Sequence, residues 1–155
     1  MKLIEHFLRF LAPDDCLECG FEGALLCAIC VKSRLQSVPA RCYRCYRLTP
    51  GSKTCPACIR HSALATVWVR TLYVPTARKV VHALKFNYSR DVANIIASEL
   101  CLILPALPAD TVIVHVPAAS SHTRQRGFDQ SALIAREVSH IVKRAHVHAL
   151  VRYGQ

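Results

Sequence analysis

Long apolar runs are missing from this 155-residue sequence. The longest, ALLCAICV (24–31) and LCLILPALPA (100–109), fall well short of the roughly 20 residues that cross a bilayer, which predicts no membrane span. The N-terminus also lacks an uninterrupted apolar centre, because Glu5, His6 and Arg9 separate apolar residues at helical spacing. This pattern differs from that of a secretory signal peptide and predicts a short amphipathic helix over residues 1–15.

Cysteine, in contrast, is abundant, and eight of the nine cysteines form four Cys-x-x-Cys motifs. Two such motifs complete a tetrahedral Cys₄ zinc site, so the sequence predicts two zinc ions. The expected ligands are Cys16, Cys19, Cys27, Cys30, Cys42, Cys45, Cys55 and Cys58. One alternative is an iron–sulfur cluster; another is a disulfide framework, which the uniform motifs disfavour. Cysteines that bind metal as thiolates must stay reduced, as they do in the cytosol, so the sequence predicts a cytoplasmic protein.

The pairing of the four motifs has two solutions. Sequential pairing places residues 16–30 on one ion and residues 42–58 on the other, whereas crossed pairing joins the first motif to the third. We favour the sequential arrangement because short loops close at low entropic cost. The ninth cysteine, Cys101, lies in a helical run and is expected to be a buried small apolar residue without a functional role.

Acidic residues are absent between Glu22 and Asp91, where the sequence has twelve lysines and arginines. Eight thiolates and two zinc ions together lower the formal net charge from +10 to about +6, so some arginines are expected only to neutralise the metal centres. The segment RCYRCYR (41–47) nevertheless alternates cations with aromatic rings, a combination that suits single-stranded nucleic acid. The expected nucleic-acid-binding residues are Arg41, Tyr43, Arg44 and Arg47; the alternative is a solvated basic rim.

From residue 63 onward, the sequence predicts alternating strands and helices. The expected elements are strands within 65–74, 111–116 and 147–151, and helices within 77–86, 90–104 and 129–145. The run TVIVHV (111–116) is typical of a strand buried on both faces of a parallel sheet. We therefore predict an α/β fold, with a double zinc ribbon over 16–62 and a parallel sheet with flanking helices over 63–155.

A polar and basic segment, PAASSHTRQRG (117–127), follows this strand. Ligands of parallel sheets bind outside the carboxyl ends of the strands, where this segment lies. Small residues let backbone amides approach a ligand, and guanidinium groups donate paired hydrogen bonds to phosphate oxygens. We predict a phosphate- or pyrophosphate-binding loop, the alternative being a flexible basic loop; its binding residues would be Ala118, Ala119, Ser120, Ser121, Arg124, Arg126 and Gly127.

Together, the cysteine motifs, ALKF (83–86), IVHVPAASSHTRQRGFDQSALIA (113–135) and LVRYGQ (150–155) resemble the ComF/GntX family. These bacterial proteins have a double zinc ribbon and a type I phosphoribosyltransferase-like domain, so the resemblance implies a Rossmann-like sheet and places residues 118–121 in the pyrophosphate loop. Its most specific part is RGFDQ (126–130), where the family usually has RGFNQ. A helix-capping role for either residue explains Asp129 in place of asparagine.

The family's acidic DDVxTTGxT motif, which holds the ribose phosphate of phosphoribosyl pyrophosphate (PRPP), is missing from the sequence. The resemblance therefore implies an incomplete transferase domain, in a fragment or a truncated gene product. We expect no transferase activity from the chain as it stands. Mg²⁺ and PRPP are expected cofactors only of a complete parent chain.

Three functions compete at this point. The first is a zinc-ribbon protein that binds single-stranded nucleic acid and acts with DNA-uptake proteins in competence. The second is a PRPP-dependent phosphoribosyltransferase, complete only in a longer chain. The third is a zinc-stabilised module that binds protein partners. We favour the first, because the basic and aromatic residues surround a cysteine motif while the PRPP motif is missing.

Overall fold

The computed structural model describes residues 14–86 and 91–153, so nearly all of the predicted N-terminal helix lies outside the described residues. In chain order the elements are helix α1 (Ala28–Arg34), a 3₁₀ turn (Pro50–Ser52), α2 (Pro56–Ile59), α3 (Pro75–Phe86), α4 (Asp91–Cys101), strand β1 (Val112–Val114), α5 (Ser120–Arg126), α6 (Gln130–Val142) and β2 (Ala145–Val147). The two strands pair in parallel. The protein therefore combines helices with a small parallel sheet, in agreement with the predicted α/β class.

Helices α3, α4 and α6 form the helical centre of the molecule. Helix α4 packs chiefly against α6 and also contacts α3. On α3 the buried face repeats at helical spacing through Ala77, Val80 and Leu84, as the sequence predicts. On α4 the small residues Ala93 and Ala97 are fully buried and allow the neighbouring helices to approach closely. Described helices are all too short or too polar to cross a membrane.

The first pair of cysteine motifs belongs to this core. Buried Cys16, Leu26 and Cys30 lie in one hydrophobic cluster with side chains of α3 and α4, including Leu84 and Val92. Burying one large aliphatic side chain contributes about 1.5–3 kcal/mol, so the cluster is a substantial share of the stability of a chain this small. The first metal-binding region and the helices are therefore packed as one unit.

The predicted strands differ from the observed ones. The prediction that 111–116 is buried on both faces is wrong, because Val112 is 50% exposed and Val114 is 41% exposed. Their sheet has only two strands in the described residues, which leaves both strands with uncovered faces. The second strand ends at Val147, where the predicted strand begins. The segment 65–74 forms no ladder and contributes one isolated bridge between Thr66 and Lys53.

The helices match their predicted positions more closely. Helix α4 ends at Cys101, which is half-buried, whereas the sequence predicts an end near residue 104. Helix α6 begins where Asp129 caps it: the Asp129 carboxylate accepts hydrogen bonds from the backbone N–H groups of Ser131, at 2.8 Å, and Ala132, at 3.1 Å. The predicted capping role of Asp129 is thus confirmed. The two strands alone establish a parallel sheet but not the complete Rossmann-like arrangement.

Candidate metal centres

The first cysteine module, residues 15–34, combines a tight turn with a helix start. The backbone N–H of Cys16 donates to Phe21 O at 2.9 Å, and that of Gly20 donates to Cys16 O at 2.9 Å. Gly20 has φ 71°, a left-handed conformation that glycine adopts without steric cost. Cys27 immediately precedes α1. The turn supplies two thiols and the start of the helix supplies two more, so the four thiols lie close together.

The second cysteine module, residues 41–59, repeats this backbone. The backbone N–H of Cys42 donates to Arg47 O at 2.8 Å, and that of Tyr46 donates to Cys42 O at 2.9 Å. Cys55 immediately precedes helix α2, as Cys27 precedes α1. At the position of Gly20, however, this module has Tyr46, with φ 60°. The two modules are a structural repeat in which one left-handed position holds a large side chain.

The thiols group sequentially, and each group fits a tetrahedral ion. The sulfurs of Cys16, Cys19, Cys27 and Cys30 all lie within 4.8 Å of one another, as do those of Cys42, Cys45, Cys55 and Cys58. Zinc bonds to sulfur of roughly 2.3 Å place tetrahedral ligands about 3.8 Å apart. The sulfur–sulfur distances are 3.8 Å between Cys19 Sγ and Cys27 Sγ and 3.6 Å between Cys45 Sγ and Cys55 Sγ. Each module can therefore hold one zinc ion with little rearrangement.

The protons of the thiols are distributed unevenly. Burial raises the pKa of Cys16, but hydrogen bonds from the backbone of Cys27 and its other neighbours outweigh burial and lower that pKa to about 6. The backbone of Cys55 likewise lowers the pKa of Cys42 to about 6. The pKa of Cys58 is raised to about 12, chiefly by its hydrogen bond with the side chain of Cys55 and then by burial. Each module thus offers a ready thiolate, and metal binding must displace protons from the remaining thiols.

The predicted nucleic-acid-binding residues have different surroundings. Tyr43 is half-buried, and its hydroxyl lies 2.6 Å from Ser62 Oγ, so its side chain is held against the segment that follows the module. Arg44 donates to the carbonyl oxygen of His61. The guanidinium of Arg41 lies over the ring of Tyr46, with 5.9 Å between Cζ and the ring centroid.

Tyr46 is the exposed aromatic side chain of this surface, and the predicted set of binding residues omitted it. Its side chain is 69% exposed, and it lines a cavity of 230 Å³ together with Arg41 and Tyr43. Arg47 is also exposed. The signal in the sequence was the position of Tyr46 directly after a Cys-x-x-Cys motif, where the first module has glycine.

The predicted anion-binding segment is not a loop along its whole length. Ser120, Ser121 and Arg124 lie in helix α5, which ends at Gly127, with φ 74°, so this glycine caps a helix. The backbone N–H of Ala118 donates to Asp129 Oδ2 at 2.7 Å and is not directed to a ligand. The loop prediction is therefore wrong for residues 120–126, which form a helix whose internal hydrogen bonds begin with Thr123 N–H donating to Ala119 O at 3.0 Å.

The two arginines of this segment lie in different places. Arg124 is exposed and lines a cavity of 430 Å³ with Ala118, Ser120 and Arg152. Arg126 is half-buried, with Cζ 5.3 Å from the centroid of the Phe86 ring and Nη1 3.2 Å from Gln130 Oε1. Arg124 is thus placed to meet a ligand in the cavity, whereas Arg126 contacts the helices.

The fold and the two sulfur clusters define a mixed α/β protein with two Cys₄ groups, each of which can hold a metal ion. No protein-family model and no solved structure matches the chain. The chain is similar to DNA utilization protein YhgH of Salmonella typhi, with 31% identity over 142 residues. The match covers 83% of this chain and 61% of that protein, so the chain spans about three-fifths of its relative's length.

Proposed function

We propose that the protein is a zinc-containing member of the ComF/GntX family that binds single-stranded nucleic acid on its second cysteine module. The observation that carries this proposal is the contact between half-buried Arg41 and the exposed ring of Tyr46, beside the second group of cysteine thiols. Tyrosine stacks on a base of any sequence, and arginine contributes charge and a planar surface. Exposed Arg44 and Arg47 add positive charge on the same short segment.

Two further observations support this function. The relative in Salmonella typhi is named a DNA utilization protein, which agrees with the DNA uptake that the family resemblance implies. The sulfur geometry of both modules suits Zn²⁺, and closed four-thiolate sites hold zinc in a structural role. We therefore propose two structural zinc ions, a cytoplasmic location and partners among DNA-uptake proteins. Elemental analysis of the purified protein that finds iron, or no metal, would overturn the zinc assignment.

The binding experiment uses fluorescence anisotropy with a labelled single-stranded oligonucleotide at several salt concentrations. The expected dependence is a log–log slope near −0.7 for each phosphate neutralised, because cations are released on binding. Replacing Arg41, Arg44 and Arg47 by glutamine should weaken binding and flatten the slope. Tyr46→Ala should weaken binding with little change in the slope, since stacking involves no counterion.

The matched control removes three charges elsewhere. Lys32, Arg34 and Arg78 are exposed and lie outside the second module, so their replacement by glutamine changes the net charge equally. This control should retain most of the affinity of the unmodified chain and the same log–log dependence of binding on salt, because the arginines of the second module are intact. Equal losses in both triple variants would show a diffuse effect of charge and would contradict a site on the second module.

A second candidate function concerns the cavity beside helix α5. Arg124, Arg152 and Ser120 offer donors around its volume of 430 Å³, which favours binding of a phosphate-like anion. We infer that pyrophosphate binds at millimolar strength, about 4 kcal/mol, and that PRPP binds no more tightly because the ribose-phosphate motif is missing. Isothermal titration of both ligands, with Arg124→Ala as the control, compares them. Tenfold tighter binding of PRPP would favour the transferase function instead.

A further inference from the structure

Three histidines meet where the two parallel strands end. The register pairs Ile113 with His146, and its continuation places His115 opposite His148. Side chains two residues apart on a strand lie on the same face, so His146 and His148 share a face and His115 lies beside them. Neither the proposed nucleic-acid site nor the Cys₄ centres involve these residues.

The three rings form a close cluster. His115 Nδ1 lies 3.0 Å from His146 Nε2. The ring centroid of His148 lies 4.8 Å from that of His115 and 4.9 Å from that of His146. His115 is buried, His146 is half-buried and His148 is exposed. The cluster at this end of the sheet is therefore accessible to solvent at His148.

The surroundings of His146 disfavour its charged form. Burial lowers the pKa of His146, and the neighbouring His115, His148 and Arg136 lower it further. Arg124 also lines the cavity that His115 and His148 face. A neutral imidazole has a free lone pair on one nitrogen and is the form that binds transition metals. A single hydrogen bond explains the contact between His115 and His146, but it does not explain why a third histidine joins them.

We propose that His115, His146 and His148 bind a divalent transition-metal ion such as Zn²⁺, as a third metal site beyond the proposed function. Zinc–nitrogen bonds of roughly 2.05 Å place two tetrahedral ligands about 3.3 Å apart, so His115 and His146 need to separate by only a few tenths of an ångström. Three imidazoles leave a fourth position open for water or an anion. The cavity of 430 Å³ lined by His115, His148 and Arg124 lies next to the cluster, where it gives an anion access to that position.

Beyond this small separation of His115 and His146, the main rearrangement is a rotation of the His148 ring. Among the described residues, only the two cysteine groups bring three or more donor atoms within 4.8 Å of one another, so His148 must turn to direct a nitrogen at the other two. Its exposure leaves room for this rotation. Imidazole ligands suit zinc, copper, nickel and iron, and cobalt reports the same ligand sets spectroscopically.

The test adds Co²⁺ to the full chain after both Cys₄ sites have been filled with zinc. We expect one further metal ion per chain by equilibrium dialysis, with visible d–d absorption but without the sulfur-to-cobalt charge-transfer band of a thiolate site. The exposed ligand can be changed with little effect on folding, so His148→Gln should weaken cobalt binding at least tenfold. A His115→Gln, His146→Gln variant should abolish it.

The control variant is His82→Gln, His140→Gln, which removes two exposed histidines from helices α3 and α6. It should bind cobalt as the unmodified chain does. Binding of no third ion, or equal affinity in the His148→Gln variant whose thermal melt is unchanged, would overturn the proposal. So would inorganic phosphate that binds the cluster without metal and more tightly at lower pH, because the histidines would then act as protonated anion ligands.

Discussion

The two cysteine modules share one backbone but have different surroundings. In the first, Cys16 and Cys30 are part of the hydrophobic cluster of helices α3 and α4. The second contributes no side chain to that cluster among the described residues; it packs on the segment that follows it, through the hydrogen bond from Thr54 N–H to Ala65 O. Tyr46 and Leu48 of this module are 69% and 70% exposed. The same metal motif thus builds the core in one copy and a surface in the other.

Removing one thiolate from each module should break this comparison most directly. We expect Cys30→Ser to release one zinc ion and abolish cooperative unfolding of the helices, because about 10–16 kcal/mol of apparent metal-binding free energy supports the core. Cys58→Ser should also release one ion but leave the helices folded. Metal content and thermal melts followed by circular dichroism measure both outcomes. Equal loss of helical structure in the two variants would show that both modules support the core.

Truncating a core side chain should act selectively on the first module. Leu84 is buried in the cluster that includes Cys16 and Cys30, so Leu84→Ala should lower the free energy of unfolding by about 2–5 kcal/mol. One of the two zinc ions should then transfer faster to a chelator, while the other is unaffected. The control, Leu48→Ala, removes an exposed leucine from the second module and should change stability by less than about 0.5 kcal/mol. Faster loss of both zinc ions would contradict the conclusion that the core supports only the first module.

The left-handed position of each module offers a smaller test. No atom lies within 4 Å of a Cβ added at Gly20, so Gly20→Ala should cost only the strain of φ 71°, about 1 kcal/mol. Tyr46→Gly relieves similar strain, but glycine loses more entropy on folding and the Arg41 contact disappears, so the net change should stay within about 0.5 kcal/mol. Chemical denaturation measures both. A large increase in the free energy of unfolding for Tyr46→Gly would mean that tyrosine destabilises the protein at this position.

The smallest expected effect concerns the ion pair between Arg70 and Glu99. It joins the segment after the second module to α4 at 2.7 Å, and each side chain is 18% exposed. A double-mutant cycle with Arg70→Met and Glu99→Gln should give a coupling of about 0.5–1 kcal/mol. The control pair, Arg136 and Glu137, is more exposed and should give almost none. Equal coupling energies for the two pairs would show that the ion pair between Arg70 and Glu99 adds little to stability.

The sequence predicts the metal groups well because Cys-x-x-Cys spacing is a local constraint on a tight turn, and the capping role of Asp129 is local for the same reason. Surroundings are harder to predict. Tyr43 and Tyr46 belong to one motif, yet only the structure places Ser62 beside Tyr43 and leaves Tyr46 exposed. Residues 120–126 are all polar, as in a loop, but they form a short helix, with Thr123 N–H donating to Ala119 O at 3.0 Å.

The parallel pairing of β1 and β2 also has a kinetic consequence. Val112 pairs with Ala145, and the whole of helices α5 and α6 lies between them, so closing this sheet requires ordering a long stretch of chain first. Each cysteine module, in contrast, closes over a short span as soon as metal is present. Newly synthesised chains should therefore gain their metal centres early and their sheet late. Val112 and Val114 then remain unpaired longest, at the stage when chains are most prone to associate wrongly.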